Sequence, residues 1–217
     1  MTQVISENRH LAGARNAQSK EACMKLYDEW AASYNTDLAD ASQNYMAPIL
    51  TAQTAIQATI SNEKPPTILD AGCGTGLVGE ALAKAGFAMA IDGADLSPPM
   101  LKIAEDTGVY RNLMLADLTQ PLSAPDETYD IITCCGTFTR GHVGPDPALR
   151  EFVRLLKKGG VIVATVLQEI WVTGGYKAEV EKLAAEGLAS VVSAEVKDYR
   201  KGAGDKATFL VLRKTSS

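Results

Sequence analysis

The chain has 217 residues, with 21 Lys and Arg against 26 Asp and Glu, a net charge of −5. That length holds one α/β domain with a sizeable core and little more, and the acidic balance lacks the basic footprint that phosphate backbones require, which disfavours a nucleic-acid partner. No apolar run approaches the ~20 residues of a membrane span, and the acid-bearing N-terminus lacks the apolar run of a secretory signal, so a soluble, cytoplasmic protein with no membrane partner is expected.

The four cysteines, Cys23, Cys73, Cys134 and Cys135, form no C-x-x-C pair, and the two histidines are His10 and His142. Neither set has metal-ligand spacing. The thiols read as reduced core or pocket residues, and no metal is expected.

In chain order, residues 1–19 are polar and aperiodic and read as a tail, followed by one domain over 20–217. Helices are expected over 20–62. Between Lys20 and about Asn35, Leu26, Tyr27, Trp30, Ala31 and Tyr34 share one helical face. A second helix follows Pro48 and runs to about Ile60, where Asn62-Glu63-Lys64-Pro65-Pro66 ends it.

A core over 67–217 begins with Thr67-Ile68-Leu69, a β-branched and apolar strand that runs into Asp70-Ala71-Gly72-Cys73-Gly74-Thr75-Gly76 and then the helical spacing of Leu77 to Lys84. Glycines at such a turn let backbone approach a ligand closely, and the following helix is expected to offer free N–H groups there. Gly74 to Gly79 also satisfies the G-x-G-x-x-G of a dinucleotide site. Asp70 either braces the turn or accepts from an ammonium.

A second strand, Phe87 to Asp95, ends in an acid about 20 residues past the glycines, placed to accept both hydroxyls of a ribose. Asp92 is the fallback if the strand ends earlier. Ser97 N-caps the next helix, with Pro98-Pro99 in its first turn and Met100 behind them. Asp117, in Leu115-Ala116-Asp117-Leu118, follows a third strand and is placed to accept from an exocyclic adenine amine. Strands and helices then alternate, which implies a parallel sheet with helices on both faces and a ligand at the strands' carboxyl ends. Val161 to Leu167 reads as a buried strand, about Tyr176 to Glu186 as a helix, and Val191 to Tyr199 and Ala207 to Leu212 as strands joined through Gly202-Ala203-Gly204-Asp205.

Taken together, Tyr27-Asp28-Glu29-Trp30-Ala31-Ala32-Ser33-Tyr34, Leu69 to Gly76, Gly93 to Pro98, Ala116-Asp117-Leu118, Tyr129-Asp130-Ile131-Ile132 and Leu155 to Gly160 resemble class I S-adenosylmethionine-dependent methyltransferases. More specifically, the chain resembles small methyltransferase-domain proteins of the Williams-Beuren region 27 and ubiquinone/menaquinone-biosynthesis type, over about Tyr27 to Val166. The resemblance implies one doubly wound, Rossmann-like, seven-stranded α/β sheet with an antiparallel C-terminal hairpin strand and an N-terminal helical lid. S-adenosylmethionine is then the implied cofactor. Gly72, Cys73 and Gly74 would lie on its methionine part, Asp95 on the ribose with Leu96 and Met100 alongside, and Asp117 and Leu118 at the adenine. Cys134 would close the pocket floor, and Tyr27 and Tyr34 would cover the site from the lid, unless they are core.

Methyl transfer from a sulfonium needs mainly alignment and exclusion of water. The segment Cys135 to Pro145, read as the loop after the fourth strand, lies where the resemblance puts the acceptor. It carries His142, a base or acceptor contact against a loop-stapling histidine, and Arg140, a carboxylate ligand against a solvated one. Trp30, Trp171 and Tyr176 are the flat surfaces on which an acceptor can stack, or else core. These loops are sparse in Lys and Arg, which points to O-methylation of a small hydroxylated metabolite. Two other readings stay open: a fold that binds the cofactor without methylating, by cyclisation, isomerisation or binding alone, and a nicotinamide oxidoreductase resting on Gly74 to Gly79. The oligomeric state is not legible.

Overall fold

The structure, a computed structural model, describes residues 9–16, 19–58, 65–86 and 90–216. The parts of the expected elements at 1–8, 17–18, 59–64, 87–89 and 217 fall outside them. Among the described residues seven strands form one sheet in the order β3-β2-β1-β4-β5-β7-β6. The strands are β1 (Thr67–Ala71), β2 (Ala90–Asp95), β3 (Asn112–Leu115), β4 (Tyr129–Phe138), β5 (Leu156–Leu167), β6 (Ala189–Arg200) and β7 (Asp205–Lys214). The first five are mutually parallel, and β7 runs antiparallel to both β5 and β6. The sheet therefore closes on the hairpin that the glycine-rich turn at 202–204 encodes.

The helices are α1 (Arg9–Asn16), α2 (Lys20–Ala39), α3 (Ala47–Ala58), α4 (Leu77–Lys84), α5 (Pro98–Asp106), α6 (Pro145–Leu155) and α7 (Tyr176–Ala185). Side chains alternate across each strand, so neighbouring residues serve opposite cores. Ile68, Ile91, Ile131 and Val163 pack against Ala52 and Ala55 of α3 and Val78 and Leu82 of α4. Leu69, Ile132, Ile162 and Leu210 pack on the other face against Phe152 of α6 and Leu183 of α7. Burying both faces accounts for the near-continuous apolar runs of the central strands.

Two expectations are corrected here. The polar N-terminal stretch holds a helix over part of its length: α1 buries Leu11 against Trp30 and Leu38 of α2, and the His10 ring stacks on Trp30 at 5.6 Å. Its few apolar residues find partners only once α2 is in place. The fourth strand also continues to Phe138, past a register shift between Cys134 and Phe138, so the start of the expected acceptor loop is strand. Among the described residues no helix is long and apolar enough to cross a membrane, and no cluster of three His, Cys, Asp or Glu could hold a metal.

Candidate active site

The carboxyl ends of β1 to β4 open into a cavity of about 840 Å³ beneath α2. On its floor, Gly72, Gly74 and Gly76 take φ of +72°, +54° and +96°, a region that side-chain-bearing residues rarely adopt. A Cβ on Gly72 would lie 1.9 Å from Thr137 Oγ1, whereas one on Gly74 would meet nothing within 4 Å. Gly74 is thus the bare edge facing the cavity. Within the turn, Gly72 and Cys73 donate to Ala94 O, Gly74 donates to Asp95 Oδ2 at 2.8 Å and Gly76 donates to Cys73 O. At these four positions the turn offers close approach rather than open donors.

Asp95 lines the cavity where β2 ends. Its Oδ1 accepts from Ser97 N–H at 2.9 Å, so two backbone donors fix the carboxylate's direction. Burial raises its pKa against the pull of those hydrogen bonds. Ser97 caps α5 as the sequence implies, its Oγ accepting from Met100 N–H, while its hydroxyl donates to Asp28 of α2 at 2.6 Å. Leu96, Met100, Asp117 and Leu118 complete the wall. Asp117 Oδ1 accepts from the N–H and hydroxyl of Thr119.

Three expected contacts lie beneath the cavity instead. Asp70 is fully buried and takes hydrogen bonds from Tyr110 Oη at 2.8 Å and Thr133 Oγ1 at 2.9 Å, so it braces the turn. Burial pushes its pKa up to about 6. Cys73 turns its sulfur under Gly93, where an added Cβ would come within 2.9 Å of it. Cys134 belongs to the main core and is 0% exposed, and the cavity is lined by Cys135 instead. The two are strand neighbours and must face apart. The fallback Asp92 is engaged elsewhere, by a two-pronged ion pair with Arg111 and by Asn112 and Tyr129. These donors hold its carboxyl below the usual range despite burial.

The roof comes from α2, whose Tyr27 and Tyr34 line the cavity with Cys23 and Met24. A second side-chain bond ties this helix down, from Thr75 Oγ1 to Asn35 Oδ1 at 2.6 Å. The side is closed by Val143 and His142, whose ring meets Tyr27 edge-on at 5.5 Å. His142 Nδ1 lies 2.6 Å from Thr139 Oγ1, and its Nε2 is buried with no hydrogen-bond partner among the described residues. Burial lowers the imidazole pKa to about 4, so the ring is neutral at pH 7. Ser97, Thr119, Cys135, Gly136, Thr137 and Val143 also line the site. Cys135, Gly136, Thr137 and Val143 fall in the segment expected at the acceptor mouth, Ser97 was legible as a helix cap, and Thr119 carried no signal in the sequence.

Of the expected acceptor surfaces, Trp30 is 2% exposed, donates to Asp37 Oδ2 at 2.6 Å, and lines an adjoining chamber together with Arg140. Arg140 Nε sits 3.4 Å from Glu169 Oε1. Tyr176 is core, its hydroxyl donating to Val143 O, and borders an outer groove beside His142. Trp171 packs against the main core and lines neither the cavity, the chamber nor the groove.

A cavity with one side-chain-free edge, a backbone-held carboxylate at the end of the second strand and an acid-leucine pair beyond the third suits an adenosine bearing an amino-acid tail. Residues 69–164 match the model of the methyltransferase-domain family. That stretch is a methyltransferase domain, and the sheet has the fold of class I, S-adenosylmethionine-dependent methyltransferases. Over 143 residues it is 37% identical to methyltransferase-like protein 27 of Homo sapiens, covering 65% of this chain and 56% of that protein. It is also 37% identical over 107 residues to a ubiquinone biosynthesis O-methyltransferase of Hydrogenovibrio crunogenus, covering 46% of this chain and 42% of that one. The chain spans about half the length of the curated relatives it matches. Among solved structures, the 1,6-didemethyltoxoflavin-N1-methyltransferase of Burkholderia thailandensis, with bound 1,6-didemethyltoxoflavin and S-adenosylhomocysteine, superposes with a TM-score of 0.61 at 19% identity, covering 92% of each chain. The methyltransferase domain also accounts for the rival glycine pattern: a Cβ on Gly79 would strike Tyr110 Oη at 2.5 Å, so that glycine serves packing beneath the turn.

Proposed function

We propose that the protein transfers a methyl group from S-adenosylmethionine to a hydroxyl of a small-molecule acceptor. The observation that carries this reading is one cavity that brings Gly74, Asp95, Asp117 and Leu118 together under Tyr27 and Tyr34, with a neutral, partner-free histidine nitrogen at its side. The cofactor, when bound, supplies a methyl group already activated on a sulfonium. The chain's own residues then have three tasks. Asp95 and Asp117 hold the polar groups of the nucleoside, and Leu96, Met100 and Leu118 enclose its base. Tyr27 and Tyr34 exclude water. His142 takes the proton that a hydroxyl must lose as it is alkylated, a task for which a neutral imidazole is suited.

The finer choice of oxygen is supported by that neutral imidazole and by a relative named for O-methyl transfer. The four unpaired thiols support a reducing, cytoplasmic setting. Titration calorimetry with S-adenosylmethionine, S-adenosylhomocysteine and NAD decides the cofactor: the first two should bind and NAD should not, and binding of NAD alone would sink the reading. Asp95→Ala removes an acceptor for two ribose hydroxyls and should weaken S-adenosylhomocysteine by about 1–3 kcal/mol. Unchanged affinity would remove Asp95 from the site.

A further inference from the structure

Beside the cofactor cavity, and sharing Tyr27, Tyr34 and Gly136 with it, lies a second chamber of about 540 Å³. Its walls are aromatic to an unusual degree, in a chain only 6% aromatic. Trp30 and Tyr34 meet edge-on at 4.7 Å on one side, and Tyr45 and Tyr199 at 5.1 Å on another.

At the seam between the two spaces sits Gly136, with φ +80°, where an added Cβ would stand 2.9 Å from Tyr45 Oη and 3.3 Å from Tyr199 Oη. The two phenol hydroxyls therefore lie over the passage from one space to the other. They are ordered: Tyr45 donates to Tyr199 at 3.2 Å, and the Cys135 sulfur lies 3.7 Å from Tyr45 Oη. With the Tyr45 proton committed to Tyr199, Tyr199 keeps its own proton to give to a third group.

The rim carries two cations, and each is matched by an acid. Arg140 faces Glu169 at 3.4 Å, and Arg200 donates through Nε to Asp205 at 2.8 Å. A carboxylate or phosphate on the ligand would meet those acids as well as the arginines. Thr139, which faces His142 Nδ1, also lines the chamber. The outer groove beside Tyr176 competes poorly, because it is bordered by Gly141, Gly144 and Gly174 and its tyrosine hydroxyl is already committed to Val143 O.

We propose that this chamber is the acceptor site and that it takes an uncharged, planar aromatic molecule bearing a hydroxyl, stacked between the Trp30 and Tyr34 wall and the Tyr45 and Tyr199 pair. Tyr199 is the positioning residue: it donates to the ligand at the seam and turns the acceptor hydroxyl toward the cofactor cavity. The proposal rests on the methyltransferase reading above and adds the acceptor's class and place.

The test uses the full chain carrying Trp171→Phe, which leaves Trp30 as its one tryptophan, saturated with S-adenosylhomocysteine and titrated with 2-naphthol. Saturable quenching of Trp30 is expected, with 6-hydroxy-2-naphthoate binding at least tenfold more weakly. Tyr199→Phe keeps the ring and removes the hydroxyl; it should weaken 2-naphthol at least fivefold, leave S-adenosylhomocysteine affinity within twofold, and lower kcat for transfer of labelled methyl to 2-naphthol more than it raises KM. With S-adenosylhomocysteine bound normally, the chamber proposal is overturned by no saturable quenching, by displacement of S-adenosylhomocysteine by 2-naphthol, by preference for the carboxylate, or by an unaffected Tyr199→Phe. Failure of S-adenosylhomocysteine to bind at all overturns the cofactor reading instead, and the acceptor role with it.

Discussion

Gly72 shows how closely single residues shape the site. It is held at φ +72° with Thr137 Oγ1 in the space where a Cβ would go. Alanine there meets two separate costs: about 1–2 kcal/mol for an L-residue in the left-handed region and about 1–3 kcal/mol for the overlap. Gly72→Ala should therefore lower stability by about 2–5 kcal/mol. Thr137→Ala removes the clashing hydroxyl, so the double variant should recover the overlap cost and retain only the backbone one. Urea midpoints of the two single variants and the double close this cycle. Additive losses would show that the turn moves aside rather than clashing. At neighbouring Gly74, where a Cβ meets nothing, only the backbone cost is expected without ligand, and a further loss should appear on titrating the cofactor.

Helix α2 is an element with two jobs, since its aromatic stripe is both a small core and the roof of the cavity. Two side-chain bonds hold it over the site, Ser97 Oγ to Asp28 Oδ1 and Thr75 Oγ1 to Asn35 Oδ1, each 2.6 Å. Each is worth on the order of 0.5–1.5 kcal/mol. The double variant Asp28→Ala, Asn35→Ala should release S-adenosylhomocysteine roughly tenfold faster or more while changing global stability by no more than about 3 kcal/mol. Stopped-flow displacement reads the rate, and an unchanged rate would mean the ligand leaves without lifting α2. The helix itself was legible from its apolar spacing, as were the glycine turn, the Ser97 cap and the closing hairpin, because each is written within a few consecutive residues. The lid's inner helix was not, since Leu11 and Ala14 have no meaning until Trp30 stands opposite them. Cys134 and Cys135 differ only in which face of β4 each occupies, and the irregularity beyond Cys134 leaves no short-range mark. Tyr45 and Tyr199, 154 residues apart, meet only through the finished sheet.

For the molecule as a whole, the buried groups of the site set opposing pH dependences in the same window. Asp70, with its pKa raised to about 6, contributes stability that is fully present below the unfolded carboxyl value of 3.8 and is lost as pH rises through about 6. Asp95, also raised by burial, acts in the same direction. His142, lowered from 6.5 to about 4, contributes stability that is fully present above 6.5 and is lost as pH falls through about 4. Asp70 and His142 are each worth on the order of 3 kcal/mol at full expression. On acidification from pH 6.5 to 4 the two largely offset, and the wild-type chain should change little on their account. Asp70→Asn keeps a partner for both Tyr110 and Thr133, because a carboxamide can accept from one hydroxyl and donate to the other. It leaves His142 less opposed, so this variant should be more stable than wild type at pH 7 and lose about 2–3 kcal/mol between pH 6.5 and 4. His142→Gln should do the reverse, gaining stability over the same interval as Asp70 takes up its proton. Urea midpoints measured across that range without added cofactor distinguish the two, and parallel profiles for both variants would show that neither group is held in the protonation state that its burial implies.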